Sequence, residues 1–166
     1  MISPDMGVLT GTMVRRFAAY WEGLRQGDSL PARSALDPGD FVYCLPNVMV
    51  MDLSYEPLRV RYRLVGSAVV ASAKLDFTGR YLDEITFPNA DFDWMNLYRR
   101  LVAERRPLYG SIPIESAVGE RKYDLGLFPL SSEGRIIDKA IAVEDYEPVG
   151  NSEVQAKLRS THFKQS

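Results

Sequence analysis

The sequence from Asn47 to Gly66 is NVMVMDLSYEPLRVRYRLVG, and this stretch decides the fold. Residues 48–53 form an apolar run that is too short for a helix of its own and typical of a strand inside a sheet. Residues 59–64 alternate between charged and apolar side chains, and a period of two predicts a half-buried strand. A turn that contains Pro57 joins them. The stretch therefore predicts a β-hairpin, with the inward positions of its second strand held by Val60, Tyr62 and Leu64.

The outward positions of the same strand are arginines: Arg59, Arg61 and Arg63. A solvated outer face explains them most simply. A stripe that binds an anion or an acidic partner is the alternative, although the net charge of −2 gives it little support.

Composition indicates one globular domain. The chain has 166 residues, of which 46% are hydrophobic and 25% charged, both ordinary values for a soluble protein. No apolar run approaches the ~20 residues that a membrane helix needs, and no signal peptide is visible. We therefore expect a cytoplasmic protein, and the slightly acidic charge balance disfavours nucleic-acid binding.

An N-terminal helix is predicted over residues 10–26, after a flexible segment at residues 1–9. Its apolar residues recur at helical spacing and form one stripe, made of Met13, Phe17, Trp21 and Leu24. Such a stripe packs on the sheet of its own domain or pairs with a second copy of the chain. We predict the stripe as the interface of a homodimer.

The remaining elements follow in the order that their patterns predict. Short helices are expected over residues 38–45, begun by Asp37, and over 67–75, and a longer helix over 91–106 with Asp91 as its cap. Strands are expected over residues 108–115, 121–130 and 136–146, and a polar tail over 148–166. The order predicts an α+β fold with a five-stranded antiparallel sheet, helices over one face and an extra N-terminal helix.

This order of elements resembles a PAS domain, a five-stranded sensory fold. The chain resembles, more narrowly, a PAS-like family common in alphaproteobacteria, over roughly residues 15–147 within one domain at 10–147. The motifs that carry the resemblance are Tyr20-Trp-Glu-Gly-Leu24, Leu30-Pro-Ala-Arg33, Leu36-Asp-Pro38, Leu45-Pro46, Tyr62-Arg-Leu-Val-Gly66 and Thr78-Gly-Arg80. The resemblance implies a stand-alone sensory or regulatory domain, and it does not identify a ligand.

Under this resemblance, a cavity would lie between the long helix and the sheet. Strand alternation gives candidate ligand-binding residues, which are Met49, Met51, Tyr62, Leu64, Phe77, Tyr98, Tyr123, Leu125, Leu127, Ile141 and Val143. An ordinary closed core would use the same residues. A buried tyrosine needs a partner for its hydroxyl, so the cavity and the closed core stay open alternatives.

Cofactors of other PAS domains would require residues that this chain places elsewhere. The single histidine, His162, lies in the tail, which disfavours a histidine-ligated haem. The single cysteine, Cys44, precedes the first predicted strand, which disfavours a flavin photoadduct and a chromophore thioester. Its apolar neighbours indicate a buried small hydrophobe. We identify no cofactor. Two possibilities remain open: a small organic ligand that binds noncovalently, and no ligand at all.

Catalytic chemistry has little support in the sequence. The neighbouring carboxylates Glu144 and Asp145 face opposite sides of a strand and cannot act on one substrate together. Other strand carboxylates, such as Asp124, are expected to be solvated. The chain lacks a phosphate-binding loop and clustered metal ligands. We therefore predict a module that binds a ligand or a signalling protein. A pure interaction adaptor with a closed core is the alternative, and a small-molecule enzyme is the weakest hypothesis.

Overall fold

The computed structural model describes residues 1–87, 91–116 and 119–146. Its strands are β1 (Ile2–Ser3), β2 (Val48–Ser54), β3 (Arg59–Val65), β4 (Leu108–Ser116), β5 (Gly119–Leu130) and β6 (Lys139–Tyr146). Its α-helices are α1 (Met13–Leu24), α2 (Ser67–Ala73) and α3 (Trp94–Glu104). Short 3₁₀ helices lie at Met6–Val8, Arg33–Ala35, Pro38–Asn47 and Leu82–Glu84. The predicted tail at 148–166, with His162, lies outside the described residues.

The strands form one antiparallel sheet in the order β1-β4-β5-β6-β2-β3. The predicted α+β fold is confirmed, including the β2–β3 hairpin and the three strands that close the domain. Strand β1 is additional, because Ile2 and Ser3 pair with Gly110 and Tyr109 where we expected no regular structure. Among the residues that the structure describes, the sheet therefore has six strands rather than five.

Both faces of the sheet are covered, which explains the long apolar runs in its central strands. On β5, Tyr123, Leu125 and Leu127 point to one face, which we call the cavity face, and α2 and α3 cover it. The intervening Gly126 and Phe128 point to the other face, where they meet α1. We call this second face the α1 face.

Helix α1 packs on the sheet of its own chain. Phe17 and Trp21 have no exposed surface, and the indole Nε1 of Trp21 donates to the carbonyl of Pro129 at 3.1 Å. Phe17 makes edge-to-face contacts with Phe128 at 5.0 Å and Phe41 at 5.3 Å. The interface that we predicted at this stripe is therefore corrected for Phe17 and Trp21, since intramolecular packing leaves them no surface for a second chain. Met13 and Leu24 are only partly buried.

Two carboxylates hold the start of α1 against the sheet. Asp124 on β5 accepts hydrogen bonds from the backbone N–H groups of Thr10 at 2.7 Å and Gly11 at 2.6 Å. Asp145 on β6 accepts from the N–H of Met13 at 3.3 Å. Asp124 is buried rather than solvated, contrary to our expectation for strand carboxylates, because the backbone amides just before α1 supply it with hydrogen bonds.

A bulge in β3 changes which face its last residues occupy. Val50 pairs with Leu64 but the next residue, Met51, pairs with Tyr62, so Arg63 is an extra residue in the ladder. Leu64 consequently lies on the face opposite Tyr62 and is 46% exposed. The prediction that Leu64 faces inwards beside Tyr62 was wrong for this reason.

Two helix starts differ in how well the sequence predicted them. Asp37 caps the helix Pro38–Asn47 as predicted, with its carboxylate accepting from the N–H of Gly39 at 2.9 Å. Helix α3 begins later than predicted, because Asp93 rather than Asp91 is the cap and accepts from the N–H of Asn96. The shift follows from the side chain that reaches the free amides of the first turn.

Candidate ligand cavity

A cavity of about 110 Å³ lies between the cavity face of the sheet and the helices α2 and α3. Its floor comes from β2, β3, β4, β5 and β6, and its other walls from α2, α3 and the segments between them. The lining residues are Met49, Tyr62, Val69, Ser72, Ala73, Phe77, Phe87, Trp94, Leu97, Tyr98, Ile114, Tyr123, Leu125, Leu127, Ala142, Glu144 and Tyr146. Ser72 is also exposed to solvent, so the cavity meets the surface beside α2.

Aromatic rings dominate this lining. Seven of the residues are aromatic: Tyr62, Phe77, Phe87, Trp94, Tyr98, Tyr123 and Tyr146. They contact one another in series, with ring centroids 4.7 Å apart for Tyr62 and Phe77 and 5.1 Å apart for Phe77 and Phe87. Across the strand pair, Tyr123 and Tyr146 lie 5.2 Å apart. Mutual packing of this kind fixes the ring orientations around one small volume.

One carboxyl group, that of Glu144, lies among these rings. Glu144 is only 6% exposed, and the hydroxyl of Tyr146 donates a hydrogen bond to its carboxyl. Burial raises the pKa of Glu144 from 4.5 to about 7, and the hydrogen bond from Tyr146 opposes this rise. At neutral pH the group therefore exchanges readily between its acid and its carboxylate.

The other polar groups of the lining are the tyrosine hydroxyls, the Ser72 hydroxyl and the buried indole Nε1–H of Trp94. Tyr62 and Tyr98 share a hydrogen bond between their hydroxyls. Burial raises the pKa of Tyr62, Tyr98 and Tyr123 well above the usual tyrosine range, and the nearby Glu144 adds to this effect. These hydroxyls are therefore neutral at physiological pH, able to donate or accept but not to supply charge.

No positive charge faces Glu144 from the cavity lining. The lining side chains that the structure describes include no lysine, arginine or histidine. Within the same part of the chain, no group of three or more His, Cys, Asp or Glu side chains is placed to hold a metal ion. The cavity is thus aromatic and apolar, with one ionisable acid, several neutral hydroxyls and one buried indole N–H that makes no hydrogen bond to the described residues.

Most of the predicted cavity residues meet in this one place. Seven of them line the cavity, namely Met49, Tyr62, Phe77, Tyr98, Tyr123, Leu125 and Leu127. Met51 is fully buried two residues along β2 from Met49 and is not part of the lining. Leu64 is displaced by the bulge. Whether any of the seven binds a ligand stays a prediction.

Strand β6 contributes the opposite set of residues from the one we predicted. Ile141 and Val143 point to the α1 face, where they pair with Phe128 and Gly126. Ala142, Glu144 and Tyr146 line the cavity instead. Because β6 is buried on both faces, its apolar pattern does not reveal which face a residue occupies. The pairing of Tyr146 with Tyr123 in the neighbouring strand gives the correct alternation.

Residues singled out for other chemistry lie elsewhere. Cys44 is buried with its Sγ 3.4 Å from the carbonyl of Phe41, and burial raises the pKa of its thiol to about 11. Arg59 is paired with Asp83 at 2.9 Å, and Arg63 with Asp52 at 3.0 Å. Arg61 donates to the carbonyl of Gly79. These three outward arginines, for which a binding stripe was the weaker alternative, are thus engaged with acceptors of their own chain.

Comparisons with known proteins concern the family and the fold. A family model described as PAS domain matches residues 10–135, and no curated protein matches the chain. Among solved structures, the chain is similar to an RNA-binding light-oxygen-voltage receptor, with 16% identity over 98% of this chain and 44% of that one and a TM-score of 0.49. It is similar to the Rhodobacter sphaeroides LOV protein, with 14% identity, 73% and 74% coverage and a TM-score of 0.45.

A third similar structure is the LOV domain of the blue-light photoreceptor Aureochrome1 in its light state, with 11% identity, 71% and 94% coverage and a TM-score of 0.45. The described residues contain no helix long and apolar enough to span a membrane. The family model covers more than half of the chain and includes most of the elements that enclose the cavity. The protein therefore belongs to the PAS domain family.

Proposed function

We propose that this protein is a sensory or regulatory module that binds a small organic molecule noncovalently in the cavity between the sheet and helices α2 and α3. PAS domains are a sensory fold that binds ligands or partners. The observation that favours a ligand here is the buried carboxyl of Glu144 inside an aromatic cavity. A core that served only stability would fill this position with an apolar side chain, since burying a carboxyl costs free energy.

The size of the cavity limits the ligand. An apolar cavity of about 150 Å³ accommodates a benzene molecule, whereas drug-sized ligands occupy pockets of ~300–1,000 Å³. A volume of about 110 Å³ therefore suits a molecule of about four or five non-hydrogen atoms without movement of the walls. A larger ligand would require α2 or α3 to move away from the sheet.

The direct test is to ask whether the purified protein carries a molecule and whether the cavity holds it. Native mass spectrometry beside the denatured mass is expected to show an added mass that is lost on denaturation. If washing has removed the ligand, incubation with a mixture of small organic compounds should restore a noncovalent adduct.

Two matched variants on α2 locate the site. Ala73 lines the cavity, whereas Ala71 lies two residues earlier on the same helix and is exposed. Ala73→Leu should fill part of the cavity and abolish the adduct, and Ala71→Leu should leave it unchanged. An adduct that survives Ala73→Leu at full occupancy would place binding elsewhere. No adduct with any compound would favour a protein–protein adaptor with a closed core.

A further inference from the structure

The composition of the lining identifies a class of ligand, which deepens the proposed function and rests on it. We infer that the cavity recognises a small organic ammonium ion, whose N–H groups donate to the carboxylate of Glu144 and whose alkyl groups contact the surrounding aromatic rings.

The charge of the site calls for a cation. Glu144 is buried, the hydroxyl of Tyr146 is a neutral donor, and the lining described by the structure offers no lysine, arginine or histidine. A buried carboxylate is stable when a positive group pairs with it and costly when it is left alone. A ligand that brings its own positive charge would supply the missing partner, whereas an anionic ligand would meet repulsion.

The aromatic lining favours the same class. Organic cations are attracted to the faces of Trp, Tyr and Phe rings within about 6 Å, and rings grouped around a cavity recognise alkylated ammonium groups in particular. The lining combines Trp94 and Tyr98 on α3 with five phenyl or phenol rings from the strands and the connecting segments. Glu144 then supplies the ionic contact, and the rings supply both cation–π attraction and apolar contact for the alkyl carbons.

The size of the cavity narrows the class further. A volume of about 110 Å³ matches about four or five non-hydrogen atoms, which is the size of tert-butylammonium. tert-Butanol has nearly the same shape and no charge, so it serves as the neutral probe. Isobutyrate, of similar size with a negative charge, completes the set.

The binding of the cation should depend on pH, because it requires ionised Glu144. The titratable groups that face this carboxyl are Tyr62 on β3, Tyr98 on α3, Tyr123 on β5 and Tyr146 on β6. All four remain neutral in the range of interest, since burial raises the pKa of each. The affinity for the ammonium ion should therefore rise between about pH 6 and pH 8, and release of one proton should accompany binding below pH 7.

The experiment measures the binding of the three probes by NMR titration of the full chain at pH 6 and pH 8. tert-Butylammonium is expected to bind at least tenfold more tightly than tert-butanol at pH 8, and isobutyrate is expected not to bind. The isosteric variant Glu144→Gln should lose at least tenfold in affinity for the cation and retain its affinity for tert-butanol. Retained binding of tert-butanol also shows that the variant has folded with its cavity intact.

A second variant controls for the loss of charge on β6. Asp145 is the next residue, faces α1 rather than the cavity, and loses the same charge in Asp145→Asn. This variant should bind the cation like the wild type. The inference is overturned if tert-butanol binds as tightly as the cation, or if Glu144→Gln keeps its affinity for the cation. In both cases the cavity still binds a ligand and the proposed function stands, whereas the absence of binding by all three probes overturns both.

Discussion

Replacement of Glu144 by glutamine should stabilise the ligand-free protein above neutral pH. Glutamine keeps the size and the hydrogen-bonding ability of the side chain but cannot ionise. In the wild type, the carboxyl must lose its proton inside a cavity that offers it no cation among the described lining residues. Glu144→Gln removes that requirement.

The size of the effect follows from the pKa of Glu144. Burial raises this pKa from 4.5 to about 7, and each unit of difference between folded and unfolded states corresponds to 1.36 kcal/mol. Because the pKa is raised on folding, the folded state binds more protons than the unfolded state between these two values. The contribution of Glu144 to the free energy of unfolding of the wild type is therefore fully present below about pH 4.5, and it is lost as the pH rises through about 7. The full loss amounts to about 3 kcal/mol.

Urea unfolding at several pH values between 4.5 and 9 measures this effect directly. Relative to Glu144→Gln, the wild type should lose up to about 3 kcal/mol in free energy of unfolding across this range, with most of the loss before pH 8. The control is Glu22→Gln, on the exposed side of α1, for which a change within about 0.5 kcal/mol is expected. A difference between Glu144→Gln and wild type that is the same at all pH values would refute the reasoning, because it would show that Glu144 does not titrate between these limits.

Three further predictions concern the packing around α1 and the hairpin. Phe17→Glu should prevent folding, measured by circular dichroism, because it places an unpaired charge in the core, whereas Ala19→Glu on the exposed side of α1 should fold normally. Asp124→Asn should cost about 1–3 kcal/mol in urea unfolding, because the charged acceptor for two backbone amides at the start of α1 is lost. Gly66→Ala should cost about 1–3 kcal/mol in the same assay, because a Cβ there would collide with the backbone carbonyl of Pro46, and a free energy of unfolding equal to that of the wild type would contradict this contact.

The sequence was sufficient for those parts of the fold that depend on local pattern. The period of two in residues 59–62 and the apolar run of β2 predict the hairpin, and Asp37 before a proline predicts the start of the helix Pro38–Asn47. These signals act over a few residues and do not depend on what the strand later pairs with. They fail where pairing decides the outcome, as at Arg63, where the bulge exchanges the faces of the residues that follow.

The candidate cavity was predictable only in part, because the packing on each face of the sheet is not visible in the local sequence pattern. Tyr123, Leu125 and Leu127 alternate on a strand whose other face also carries large side chains. Whether these three residues face a cavity or a closed core therefore depends on the helices that cover each face of the sheet. On β6 the larger apolar residues, Ile141 and Val143, belong to the α1 face, and the smaller Ala142 leaves room for the cavity. Strand alternation alone therefore assigned these residues to the wrong face, whereas the register with β5 gives the correct face.

Two buried carboxylates on neighbouring strands show the difference between a structural acid and the acid of the candidate site. Asp124 is buried where its Oδ2 accepts from the backbone amides of Thr10 and Gly11 and its Oδ1 accepts from the hydroxyl of Thr10, which connects it to the segment before α1. Glu144 is similarly buried, yet the donor that the described residues offer it is the neutral hydroxyl of Tyr146. Charge patterns in the sequence do not distinguish these cases, because both acids lie in strands next to apolar residues and near other charged residues. The difference lies in what faces each carboxyl, and the cavity beside Glu144 leaves room for a partner that is not part of the protein.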